Sequence, residues 1–122
     1  MKTKSDPRHL KRRQLMQDLF SWQFGKSKKP AKDISEIIPQ LSKIDKLISK
    51  AAPDRPISQI NKIDLAILRL AVFELIIDKG VPVKVVIDEA VELGKEYGSD
   101  SSASFINGAL GKLVELKKIK TT

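Results

Sequence analysis

Apolar residues recur three and four positions apart along most of this chain, and nowhere do they alternate with polar ones over a useful length. That pattern predicts helices and no sheet. The first repeat is set by Leu15, Met16, Leu19 and Phe20. It lies between Asp6-Pro7, a cap followed by the proline a first turn tolerates, and the stop at Gly25. From Asp33 a second repeat runs through Ile34, Ile37, Ile38, Leu41, Ile44 and Ile48, where Pro39 is expected to kink or restart the helix. After "APDRP", Asn61 and Asp64 make a capping-box-like start. The segment it opens, Ile63 to Ile77, is apolar nearly all round and is the expected central buried helix.

"DKGVP" ends that segment with a glycine stop and a proline beyond it. A fourth helix from about Val83 to Tyr97 buries Val83, Val86, Ile87, Ala90 and Gly94 and turns Asp88, Glu92, Lys95 and Glu96 outward. A fifth, capped by Ser99 or Asp100, buries Ala103, Ile106, Ala109, Leu110 and Leu113. Gly108 and Gly111 inside it cost about 1 kcal/mol each relative to alanine, which predicts the close approach of another backbone.

With 122 residues, 41% of them hydrophobic and 31% charged, the chain fits one domain with a modest core. It has no cysteine, so disulfides, thiolate metal sites and cysteine nucleophiles are excluded. Arg69, Glu74 and Asp78 break the most hydrophobic stretch, and no apolar run follows the N-terminal cations. Neither membrane insertion nor export is expected, and the location expected is cytoplasmic.

Charge changes the picture more. The net charge is +8, and its distribution points to a polyanionic partner. Lys2, Lys4, Arg8, Lys11, Arg12 and Arg13 stand against the single acid Asp6. Lys26, Lys28, Lys29 and Lys32 follow the first helix, and Lys117, Lys118 and Lys120 form a smaller cluster at the end. Cations in the first turns of a helix oppose its dipole at a cost of about 0.3 to 1 kcal/mol each, so stability does not explain them. Arg8, Lys11 and Arg12, at i, i+3 and i+4, project from one side and can track a phosphate backbone. Taken alone, the run is as well explained by solubility.

Catalytic chemistry finds little to build on. His9 is the only histidine, which leaves a zinc site or a Ser-His-Asp arrangement without partners. Asp88, Glu89 and Glu92 have Lys84 and Lys95 at helical neighbour spacing and read as a solvated face. "GALGKL" lacks the upstream glycine of a phosphate loop and falls inside a helix. No enzyme, metal or cofactor is expected. Phe20, Trp22 and Phe105 could stack unpaired bases. For each of them core packing is the competing role, and Phe105, which lies off the apolar face of its helix, suits stacking best.

Four segments, "RRQLMQDLFSWQF", "INKIDLAILRLAVFEL", "VPVKVVIDEAVELGKEYG" and "SFINGALGKL", resemble in order the signatures of the NusB family of transcription antitermination factors. The resemblance implies an all-α compact helical bundle of two small helical subdomains. Residues 1–122 would form a single RNA-binding domain with a basic arm over 1–13. It also implies a non-catalytic factor that binds boxA-like single-stranded RNA of ribosomal RNA transcripts together with NusE, a small-subunit ribosomal protein, and serves the RNA polymerase elongation complex.

By the same resemblance the RNA-binding arm falls on Arg8, His9, Lys11 and Arg12, joined by Phe20, where the family commonly has tyrosine, and by Lys84 and Phe105. Asp64 matches an acidic position near the RNA and NusE surfaces. Arg69 and Glu74 also match, and their place in an apolar helix makes them satisfied polar anchors of the core. The departure lies between Phe24 and Ile57, where about one helix is missing. This shortens the N-terminal subdomain and would leave an apolar face for a partner. The alternative is an RNA-indifferent helical scaffold related to the accessory region of ribosomal RNA cytosine methyltransferases.

Overall fold

A computed structural model describes residues 6–25 and 32–119. Lys2, Lys4, Lys26, Lys28, Lys29 and Lys120 lie outside the described residues. Within them the chain forms α1 (Pro7–Trp22), α2 (Leu41–Ala51), α3 (Lys62–Val72), α4 (Val83–Tyr97) and α5 (Ser102–Leu116), with no strand among the described residues. The starts of α1, α2 and α3 have local causes. Asp6 accepts the Arg8 amide at 2.8 Å, with Pro7 in the first turn of α1. Pro39 restarts the chain: it sits in a 3₁₀ turn, Ile38–Gln40, from which α2 grows. At the head of α3, the Asn61 side chain accepts the Asp64 amide at 2.8 Å.

The central helix is shorter than its apolar pattern predicts. Beyond Val72 the backbone widens into a π-helical turn, Phe73–Asp78. That turn advances the side-chain phase and buries both Glu74 and Leu75. Its left-handed stop falls on Lys79, φ 56°, and not on the adjacent Gly80.

α3 is the hub. Leu65, Ala66, Ile67 and Leu68 are all buried, and α1, α2, α4 and α5 each pack against this helix. Arg69 crosses to α2, donating from Nε and Nη2 to Asp45 at 2.9 and 2.8 Å. Its Nη1 reaches Gln23 at the end of α1 at 3.1 Å, which makes it the satisfied anchor expected. α4 and α5 pack as a hairpin. A Cβ at Gly94 would lie 2.9 Å from Ile106 Cδ1 and 3.4 Å from the Ala103 amide nitrogen. The close approach predicted for Gly108 and Gly111 is therefore at Gly94; those two face solvent with nothing within 4 Å of an added Cβ.

Between Trp22 and Leu41 the described residues hold only the short 3₁₀ turns Lys32–Ile34 and Ile38–Gln40. Ile34 and Ile37 are both buried from that segment, sealing part of the core beneath α1.

Candidate nucleic-acid interface

The cations of α1 divide into two sets. Arg8 stays in solvent, its side chain 85% exposed, with its guanidinium 3.3 Å from the capping carboxylate of Asp6. Their pairing raises the Arg8 pKa and lowers that of Asp6. Lys11 is also exposed and reaches Asp33 at 3.0 Å. Arg12 turns inward instead, correcting the expectation that it shares a face with Arg8 and Lys11. Its Nη2 donates to Glu74 Oε1 at 2.7 Å, its Nε donates to both Glu74 oxygens at 3.2 and 3.0 Å, and Glu89 stands 3.9 Å from Nη1. Hydrogen bonding to Glu74 holds its pKa raised against the cost of burial.

His9 is 2% exposed and leaves the solvent face as well. Nδ1 lies 2.9 Å from Glu89 Oε1 and Nε2 lies 2.6 Å from Glu96 Oε1. An imidazole can donate to two carboxylates only when both nitrogens carry protons. Burial alone works against that charge, and the hydrogen bonds to Glu89 and Glu96 outweigh it, so the pKa of His9 is raised. Glu89, expected on a solvated face, is 3% exposed and serves both inward cations. The cost of crowding cations into the first turns of α1 is met by acids delivered from α4 and the π-helical turn.

Arg8 and Lys11 border an open cleft of about 420 Å³ with Leu15 and Phe73 on its wall. Asp33, Glu36 and Asp78 share that cleft, so the cation face is mixed in sign. Phe20 is half-buried against the core, its ring edge-on to Phe24 with centroids 4.9 Å apart. Lys84 is exposed at the start of α4 and 3.5 Å from Asp88. Phe105 lies in a different groove, beside Ala52, Ser104 and Gly108, into which no α1 residue enters. There the Arg55 guanidinium sits over its ring, 3.9 Å from the centroid. Sequence spacing missed Arg55, whose only local signal is its place in the "APDRP" loop.

Asp64 is 1% exposed and its Oδ1 has no hydrogen-bond partner. Direct contact with a partner, expected from its matched position, is therefore closed to it in this conformation. Among the described residues no group of three or more His, Cys, Asp or Glu side chains could hold a metal ion. No helix among them is long and apolar enough to cross a membrane.

Comparison with known proteins places this geometry. The NusB family model matches residues 34–115, a span that begins after α1. Transcription antitermination protein NusB of Roseiflexus castenholzii is 53% identical over 73 residues, covering 58% of this chain and 51% of that protein. The protein of the same name from Lachnoclostridium phytofermentans is 48% identical over 80 residues, or 66% of this chain and 61% of its own length. The matched stretch thus spans about half the length of the first of these curated relatives. The solved structure of T. maritima NusB superposes with a TM-score of 0.79 at 30% identity, covering 100% of this chain and 96% of that one, α1 included.

Proposed function

The chain belongs to the NusB family, and from that membership we propose that it is a transcription antitermination factor gripping boxA-like single-stranded RNA of ribosomal RNA transcripts together with NusE. In this reading residues 1–122 act as one RNA-binding domain in the cytoplasm, and the bound RNA is handed to the RNA polymerase elongation complex. Arg8 and Lys11 meet phosphates, with Lys84 as a further cation, and Phe105 and Phe20 offer rings to unpaired bases. His9 and Arg12 serve the same site from beneath, by fixing the helix that carries Arg8 and Lys11.

One observation carries the reading. α1 is held by two buried cations, each paired to acids from elsewhere in the fold, while its neighbouring cations Arg8 and Lys11 remain outside. A charge run kept only for solubility needs no such rigid mount. The acids Asp33, Glu36 and Asp78 beside Arg8 and Lys11 favour the second reading, an RNA-indifferent scaffold that binds protein alone. Titration of a fluorescent boxA-like RNA with the full chain, with and without NusE, separates the two. The antitermination reading expects RNA binding that tightens when NusE is added; NusE binding with no RNA uptake in either titration overturns it.

A further inference from the structure

The lysines at the end of α5, which the α1 face does not absorb, have a place of their own. Lys117 and Lys118 follow α5, Lys79 ends the π-helical turn and Lys43 stands on α2, and the fold brings the four to the rim of one open groove of about 730 Å³. All four are exposed, and none is ion-paired among the described residues. Among the described residues no carboxylate lines the groove. Its floor is aliphatic, built from Leu75, Ile76, Val81, Val83 and Ile119.

The backbone supplies a second observation. Among the described residues, Lys79 at φ 56° and Lys118 at φ 52° are the two non-glycine residues in the left-handed region, and both border this groove. Lys118 occupies the turn that closes α5, where its amide bonds the Glu115 carbonyl at 3.1 Å and the Ile119 amide bonds the Val114 carbonyl at 3.0 Å. Glycine is the usual occupant of that position. A side chain there is disfavoured by the clash of its Cβ, so helix termination does not explain either lysine. What the two share is a cation held over an aliphatic floor.

We infer that this groove docks an acidic amphipathic polypeptide segment. Its aliphatic side chains enter between Leu75, Val83 and Ile119, and its carboxylates meet the four lysines at the rim. The lining favours polypeptide over nucleic acid: single strands bind by stacking on rings, and none of the described lining residues is aromatic.

The test is fluorescence anisotropy of the full chain with a short labelled peptide that alternates leucine with glutamate at helical spacing. A charge-inverted peptide with lysine for glutamate and a labelled oligouridylate serve as the other probes. The double variant Lys79→Asn, Lys118→Asn removes two cations while keeping a residue that tolerates the left-handed region, so its thermal midpoint should not fall. The acidic peptide is expected to bind the native chain and to weaken roughly tenfold in the variant. Three results would each overturn the inference: acidic and inverted peptides binding alike, equal affinity for the variant, or the oligouridylate being the probe that loses affinity.

Discussion

Arg12 and Glu74 meet as a two-pronged pair across 62 positions of sequence, with Nη2 to Oε1 at 2.7 Å and Nε to Oε2 at 3.0 Å, tying α1 to the π-helical turn. Both side chains are about nine-tenths buried, so each charge depends on the other to offset its lost hydration.

Breaking that pair should unfold the chain more readily than removing an exposed cation one turn away. Arg12→Ala leaves the Glu74 carboxylate buried and is expected to cost about 3 kcal/mol, whereas Arg8→Ala should stay within about 0.5 kcal/mol. Urea denaturation of the two variants checks the contrast, and equal midpoints would show that the pair contributes nothing.

RNA affinity should follow the other set. For single strands each neutralised phosphate contributes about 0.7 to the slope of log affinity against log salt, so Arg8→Ala with Lys11→Ala should flatten that slope by about 1.4. Anisotropy titrations over a potassium chloride series measure it. An unchanged slope removes Arg8 and Lys11 from the RNA site.

The His9 pair of hydrogen bonds gives stability a pH dependence of definite sign. The folded pKa is raised, so the imidazolium contribution is complete below the unfolded value of about 6.5 and is lost as pH rises through the folded pKa. The thermal midpoint of the native chain should fall, relative to that of His9→Gln, as pH is raised from about 6.5 through the neutral range. Parallel profiles for the two proteins would mean that His9 does not carry the charge.

Two glycines should respond in opposite ways to alanine. At Gly108 an added Cβ meets nothing within 4 Å, so the variant gains helix propensity and should be stabilised by about 0.5 to 1 kcal/mol. At Gly98 the added Cβ would collide with the Ser102 side chain and lie 2.8 Å from the Gly94 carbonyl oxygen, so the turn between α4 and α5 must open. Calorimetry of Gly98→Ala and Gly108→Ala should show midpoints displaced to either side of the native one.

The helices were legible because their causes are local. Asp6, Asn61 and Pro39 act within one turn of themselves, and the apolar repeat of Leu65 to Leu68 marks a buried helix whatever packs on it. The same repeat could not show that the helix widens after Val72, because the π-helical turn is a difference of one residue in hydrogen-bond frame. The apolar repeats did place Gly94 on the buried face of α4 and Gly108 off that of α5, but how closely Ile106 and the Ala103 backbone approach Gly94 is set by the packing of α4 on α5.

By itself the sequence determined an all-helical chain of NusB type with its positive charge gathered early, since periodicity, capping and composition are properties of neighbouring residues. Tertiary structure alone decided what each cation does. His9 and Arg12 lie as close to the N-terminus as Arg8 and Lys11 and are interleaved with them along α1, yet Glu74, Glu89 and Glu96 draw the first pair inside and leave the second in solvent. A charge is structural or available according to the carboxylate that reaches it, and those carboxylates arrive from parts of the chain that folding alone brings near.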